Sequence, residues 1–364
     1  MKLALIAITK HGIEHARELK SKLPNAELWV SEKQKALAPD ADGNFPAIKD
    51  FTAGAWDQYD GLIYHVSLGA VIRTIAPFLK GKDVDPAVVT IDDGKKFVIS
   101  VLSGHVGGAN ELTEQIAALL GSTPVVTTAS DARATIPVDI LGRELGWTLE
   151  DKANVTPVSA AVVNEKPIAF IQECGEAKWW TRPTPLPKNI QTFTSIAKAL
   201  AASVSSEFGA YLVVSDRATA LLQAELQDVW DKVVIYRPKV LCLGMGCDAG
   251  TDLEEVSGLV TRTLEGAGLS VKCLKSLASI DLKAKEESLH QLAEHFGLSL
   301  QFYTRDQLNA VGTISTPNPV VEKYTGAVGV SEPSAMLSAG VKELLVTKHK
   351  SQRATVAVAR LSFS

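Results

Sequence analysis

Apolar runs and segments of helical spacing alternate along the chain, regularly at first, loosely in the middle and regularly again towards the end. Leu3–Ile8, Glu27–Val30 and Gly61–Val66 are short apolar runs of the kind that form buried strands. Ile13–Leu23 and Ala70–Leu79 lie between strands and read as helices. The second carries Val71, Ile72, Ile75, Ala76 and Leu79 at helical spacing, with Pro77 placed to end or kink it. Ala87–Ile91 and Lys96–Val101 flank Asp92-Asp93-Gly94-Lys95, a hairpin whose paired carboxylates read as turn chemistry. Leu112, Ile116, Leu119 and Leu120 give Glu111–Leu120 one buried face, Gly121 caps its end, and Pro124–Thr128 is a further strand. This pattern predicts an α/β fold with open, mostly parallel sheets, flanking helices and one antiparallel hairpin.

From about Ile140 to Tyr236 the pattern loosens. Strands are expected near Ile168 and Leu212, and Trp179-Trp180 open a Pro-rich loop that ends at Pro187. Regular text resumes at Lys239–Leu243, which leads into Gly244-Met245-Gly246-Cys247 and then a helix begun by Thr251 and Glu254 as a capping box. Helices are expected at Lys285–Phe296, Pro319–Tyr324 and Pro333–Ala339, and strands at Glu343–Val346 and Thr355–Ala359. The expected division is an N-terminal α/β domain over 1–138, a smaller central domain over 139–236 and a C-terminal α/β domain over 237–364.

Composition narrows the class. A formal net charge of −4 over 364 residues argues against general nucleic-acid binding, while local basic clusters can still hold an anionic small molecule. The four cysteines show neither Cys-x-x-Cys nor zinc spacing, so no metal site is expected, and they read as reduced thiols of a cytoplasmic protein. Met1–Ile8 is too short for a signal peptide, and no run is long enough to span a bilayer.

The richest chemistry lies in Leu102-Ser103-Gly104-His105-Val106-Gly107-Gly108-Ala109-Asn110, between a strand and a helix. Backbone N–H groups at a helix start, beside an imidazole, suit an anion or a developing oxyanion. Ser67-Leu68-Gly69, leading to Arg73, and Thr127-Thr128-Ala129-Ser130-Asp131 also follow apparent strands. If all three strands run parallel, the loops converge on one crevice with Ser103, His105, Arg73 and Asp131 facing each other. Each feature has a plainer role as well. Gly107-Gly108 also suit a tight turn, Asn110 suits an N-cap better than a ligand contact, and Asp131 suits a turn cap. His65 is the nearest rival histidine, since it too sits at a strand end. Gly244-x-Gly246 lacks the spacing of a nucleotide-binding loop but reads as an anion-binding turn, and Cys247 has no neighbouring His to make it a nucleophile. Lys348-His349-Lys350-Ser351-Gln352-Arg353 reads as a basic hairpin loop that is either solvated or able to capture carboxylates.

These segments carry a resemblance. Gly69–Pro77, Lys82–Val89, Leu102–Asn110, Pro124–Asp131, Gly244–Cys247 and the Lys348-x-Lys350-Ser351-x-Arg353-Ala354-Thr355 stretch are similar to the cobalt-precorrin-5A hydrolase family, CbiG, of anaerobic cobalamin biosynthesis. The likeness spans nearly the whole chain and is weakest over the central region. One departure is Asp248-Ala249, where the family usually has two basic residues. The resemblance implies opening of the δ-lactone of a ring-contracted cobalt tetrapyrrole, cobalt-precorrin-5A, with release of acetaldehyde to give cobalt-precorrin-5B. It also implies that no cofactor is resident, because the cobalt travels on the substrate. His105 is then the expected base, with Ser103 and Asp131 beside it in the catalytic set. Amides near Gly107 and Gly108 would hold the oxyanion. Arg73, Gly104, Asn110, Thr128, Lys82, Lys348, Lys350 and Arg353 would bind the carboxylate-rich substrate. Neighbouring methyltransferases of the pathway are candidate partners, neither nucleic acid nor membrane is expected, and the oligomeric state stays open. The alternative is a non-catalytic protein that binds and hands over corrinoid intermediates, since a stand-alone relative of the third unit occurs in the aerobic pathway without a settled reaction.

Overall fold

The computed structural model describes residues 1–82, 84–203, 207–312 and 319–363; Asp83, inside one of the matched segments, lies outside them. The chain divides into two compact units, 1–140 and 141–364. Together they contain three mostly parallel α/β sheets.

Unit 1 holds β1 (Leu3–Ala7), β2 (Glu27–Ser31), β3 (Gly43–Phe45), β4 (Gly61–His65), β5 (Ala87–Ile91), β6 (Phe97–Leu102) and β7 (Thr123–Val125). Their order is β3-β2-β1-β4-β5-β6-β7. The apolar runs are continuous because both faces are covered. On one face α1 (Lys10–Lys22) and α4 (Ala109–Leu120) pack Ile13, Leu19, Leu112 and Ile116 against Leu5, Ile63 and Val89. On the other, the segment holding α2 (Ile48–Ala55) and α3 (Leu68–Ile75) packs Trp56, Val71 and Ile75 against Ile6, Leu62 and Tyr64. The sequence pattern missed β3 and α2, which are too short to show a period.

Strand direction decides where loops meet. β1 to β5 are parallel, β6 is antiparallel to β5, and β7 is parallel to β6. The carboxyl ends of β6 and β7 therefore lie at the edge where β1, β4 and β5 begin. Asp92 holds the reversal as expected, accepting the Gly94 N–H at 3.1 Å and the Phe97 N–H at 2.5 Å.

Unit 2 contains the other two sheets. In the first, β8 (Thr148–Leu149), β9 (Ile168–Gln172), β10 (Ile190–Phe193), β11 (Ala210–Val214) and β12 (Val233–Arg237) take the order β10-β9-β11-β12-β8, with β8 antiparallel. Trp179 is buried there, stacked on Phe170 with ring centroids 3.9 Å apart, so the expected aromatic loop is partly core. In the second, β13 (Leu241–Cys247), β14 (Leu274–Ile280), β15 (Ser299–Tyr303), β16 (Val346–Lys350) and β17 (Ala354–Arg360) take the order β15-β14-β13-β17-β16. The expected boundaries at 138 and 236 remain a reading of the sequence; compactness divides the chain once, after Ile140.

Two expectations change in this last sheet. Gly244-Met245-Gly246 is the body of β13, not an anion-binding turn. Its glycine is required because helix Ser331–Ala339 lies directly on the strand: a Cβ on Gly244 would sit 1.9 Å from the Ser331 carbonyl oxygen. Gly244→Ala should therefore lower stability by about 3 kcal/mol, the upper end of ordinary overpacking, read as a lower urea midpoint at unchanged slope. The helix Leu253–Gly266 is capped by Asp252, whose side chain accepts the Glu255 N–H at 2.7 Å, while Thr251 bonds back to the Asp248 carbonyl. The N-cap thus falls one residue later than expected, and no capping box closes, because the Glu255 carboxylate accepts from the Ser351 hydroxyl and the Arg353 N–H, both at 2.7 Å. Among the described residues, no helix is long and apolar enough to cross a membrane.

Candidate active site

The loop after β6 folds back on itself. Ser103 adopts a left-handed backbone with φ of 57°, and Gly108 follows with φ of 83°. A Cβ on Gly107 would lie 2.4 Å from that of Ser103, so the loop closes only with glycine there. Loop carbonyls take the first amides of α4: Gly108 N–H donates to His105, Ala109 to Ser103 and Asn110 to Gly104, at 3.1, 3.1 and 3.0 Å. The expected oxyanion cradle at Gly108 is therefore already occupied by the loop's own carbonyls. The Ser103 hydroxyl, expected in the catalytic set, is buried without a hydrogen-bond partner.

His105 leaves this loop between two carboxylates. Its Nδ1 lies 3.0 Å from Asp139 and its Nε2 lies 3.1 Å from Asp131. The Ser130 hydroxyl is also 3.1 Å from Nε2. The hydrogen bond to Asp131, then that to Asp139, outweigh burial and raise the ring to about 9. The two carboxylates thus favour the imidazolium form of His105 at neutral pH. Burial alone would raise Asp139, but the hydrogen bond and charge of His105, with the nearby Lys82, hold it below the ordinary carboxylate range.

Asn110 fixes this geometry. It is buried in the first turn of α4, not at the N-cap, which is Gly108. Its Oδ1 accepts from Ser100 at 2.7 Å, and its Nδ2 donates to Thr128 and to Asp131, both at 2.8 Å. Gly104 is small because Asn110 crosses it: a Cβ there would meet Asn110 Oδ1 at 2.7 Å. Asn110, Thr128 and Gly104 consequently build the site from behind.

Two of the three expected loops meet and one does not. The loops after β6 and β7 share an edge because those strands are parallel. Ser67-Leu68-Gly69 follows β4 and lies at the opposite edge, and the Arg73 guanidinium turns back to the Gly69 carbonyl at 3.1 Å. The shared pocket proposed from parallel strands fails because the β5–β6 hairpin reverses direction. His65, the rival histidine, is wholly buried, and burial followed by the neighbouring His15 lowers it to about 3. It is a neutral core residue.

In unit 2, Lys348, Lys350 and Arg353 do come together. With Lys283 and Tyr324 they line a cleft of about 610 Å³. Lys348 and Lys350 belong to β16 rather than to a loop. Arg353 spends its guanidinium on the Gly250 and Ala249 carbonyls, at 3.1 and 2.6 Å, so it shapes the cleft. Cys247 also lines it, with burial pushing the thiol up.

Sequence reasoning missed Asp139 and Ser130. Ser130 was visible beside Asp131, but Asp139 follows Ile136-Pro137-Val138 in text with no period, and only the fold returns it to the His105 loop.

Comparison with known proteins places the chain. Residues 50–131 match the model for the cobalamin synthesis G N-terminal region, 136–238 the cobalamin biosynthesis central region, and 241–359 the cobalamin synthesis G C-terminus. A cobalt-precorrin-5A hydrolase of Priestia megaterium is 45% identical, over 99% of this chain and 95% of that protein. The chain belongs to the cobalt-precorrin-5A hydrolase family. A hydrolase of the same name from Salmonella typhimurium is 29% identical, over 92% of this chain and 91% of its own length. Protein CobE of a Sinorhizobium species is 38% identical over 33% of this chain and 79% of its own.

Proposed function

We propose that this chain is a cobalt-precorrin-5A hydrolase. It opens the δ-lactone of the ring-contracted cobalt tetrapyrrole with water and releases acetaldehyde, leaving cobalt-precorrin-5B. The observation that carries the mechanism is His105 held between the carboxylates of Asp131 and Asp139, an arrangement that favours its cation.

Asp131 has the more exposed carboxylate of the pair, at 25% against 20%, and is the base that takes a proton from the attacking water. The hydroxide adds to the lactone carbonyl. As the tetrahedral adduct collapses, the ring C–O bond breaks and His105 Nε2–H protonates the departing oxygen. A group with a pKa near 9 suits this step, because it is charged at neutral pH and its conjugate form is a strong base. The neutral ring then removes the new hydroxyl proton. The pair left on oxygen by that deprotonation forms the second C–O bond of acetaldehyde, the C–C bond breaks, and its electrons pass into the macrocycle. His105 ends as it began, so one ring serves as acid and then as base.

Asp139 holds the ring from Nδ1 and favours the cation. Lys82, whose charge is felt at Asp139, is the cation placed to meet the oxyanion or a substrate carboxylate. The electrons have a destination in the substrate, so this chemistry asks for no resident cofactor. Catalysis in oxygen-18 water tests the reading. Hydrolysis should leave one labelled oxygen in the new carboxylate of the corrinoid, and a corrinoid product without label would refute water attack at the lactone carbonyl.

A further inference from the structure

Large apolar side chains left in water concentrate in one segment of unit 1. Leu68, Ile72, Leu79 and Val84 are 38, 50, 49 and 68% exposed. Clusters of this kind mark a binding surface more often than singly scattered residues do. In α3 the buried positions are Val71, Thr74 and Ile75. Helical steps of about 100° put exposed Leu68 and Ile72 one turn apart beside this buried stripe, while Gly69, Arg73 and Ala76 turn furthest from it. Gly69 contributes no side chain, and the nearest atom to its missing Cβ is Arg73 Nη1 at 3.4 Å. The surface is therefore an apolar ridge, a shallow step and then a guanidinium.

This surface leads towards His105. α3 starts at the far edge of the sheet and its continuation returns to the near one. There the buried Asp85 carboxylate fixes the loop by accepting the Lys80 and Gly81 amides, at 2.9 and 3.0 Å. Gly107 lies against the Asp85 carbonyl, 3.4 Å from its Cβ position. Lys82 in the same loop stands close enough to act on Asp139.

We propose that the outer face of α3, continued by Leu79 and Val84, is the bed on which the face of the corrinoid macrocycle rests while its lactone reaches His105. This rests on the hydrolase reading. The occupant follows from charge and shape. A flat apolar ring fringed with carboxylates needs an apolar support with cations at its margin, and Arg73 flanks the ridge while Lys82 stands at its end. Arg73, separated from the catalytic loop by the strand reversal, thereby regains a role as a carboxylate partner on this bed.

The test uses Ile72→Glu and Leu79→Glu in the full chain, both at exposed positions that the core does not need. Leu37→Glu, at another exposed position, is the control. The probe is cobyrinic acid, a cobalt corrinoid polycarboxylate without a lactone, titrated calorimetrically. Both variants should bind it about tenfold or more weakly than the parent, because a carboxylate would be pressed against apolar ring and carboxylate fringe. KM for cobalt-precorrin-5A should rise in parallel with kcat nearly unchanged, and Leu37→Glu should match the parent. Parent-like affinity and KM in both variants would overturn the bed. So would parent-like affinity accompanied by loss of a dimer in sedimentation, which would assign the ridge to a second copy. If the parent binds cobyrinic acid but releases no acetaldehyde from cobalt-precorrin-5A, the hydrolase reading fails, and the binding comparison still decides the surface.

Discussion

His105→Gln should reduce turnover of cobalt-precorrin-5A by about 10²–10⁴-fold, the usual span for loss of an acid–base group. Gln can keep a hydrogen bond towards Asp131 or Asp139 but can neither carry the charge nor cycle a proton. Its fold should survive, because the loop is closed by its own backbone bonds and glycines, not by the ring. The informative readouts are kcat and a parent-like circular dichroism spectrum measured on one preparation. Asp131→Asn should fall in the same range, since the proposed base is removed. Full turnover in a folded His105→Gln protein would exclude the ring from the chemistry.

Asp139→Asn should act on pH dependence as much as on rate. His105 is raised to about 9 by two carboxylates, with Asp139 the second contributor. Neutralising it should bring the alkaline limb of kcat/KM down by about 1–2 pH units, the scale expected for an opposite charge within hydrogen-bonding reach. At pH 9 the variant should then lose far more activity, relative to the parent, than at pH 6. Stability gives an independent check with a fixed sign. A histidine raised in the folded state contributes stability that is complete below its unfolded value near 6.5 and is lost as pH rises through about 9. The melting temperature of Asp139→Asn should therefore trail the parent most at pH 6 and converge on it above pH 9. An alkaline limb that stays in place would show that Asp139 does not set the charge of His105.

Much of the fold was legible because buried parallel strands carry a strong signal. Leu3–Ile8, Gly61–Val66 and Ala87–Ile91 are continuous apolar runs, since both faces of the sheet are covered. The β5–β6 hairpin was legible from Asp92-Asp93-Gly94, but the edge that each later loop reaches depends on strand order, which the local pattern does not carry. One reversal sends the carboxyl ends of β6 and β7 to the opposite edge from that of β4, and it separates Ser67–Gly69 from His105. The site was legible where chemistry and backbone constraint coincide, as at His105 with Gly104, Gly107 and Gly108. Asp139 was hidden because a carboxylate in aperiodic text acquires meaning only from the partner the fold gives it. Gly244 misled for a related reason. A glycine after an apolar run signals a turn unless another element packs against it, and helix Ser331–Ala339 does so.

The most direct test is product stoichiometry. Purified protein incubated without oxygen with cobalt-precorrin-5A should release one acetaldehyde for each corrinoid consumed, and the corrinoid should leave two carbons lighter with one new carboxylate. A corrinoid that is bound and returned unchanged, with no acetaldehyde formed, would contradict the account and favour a hand-over protein.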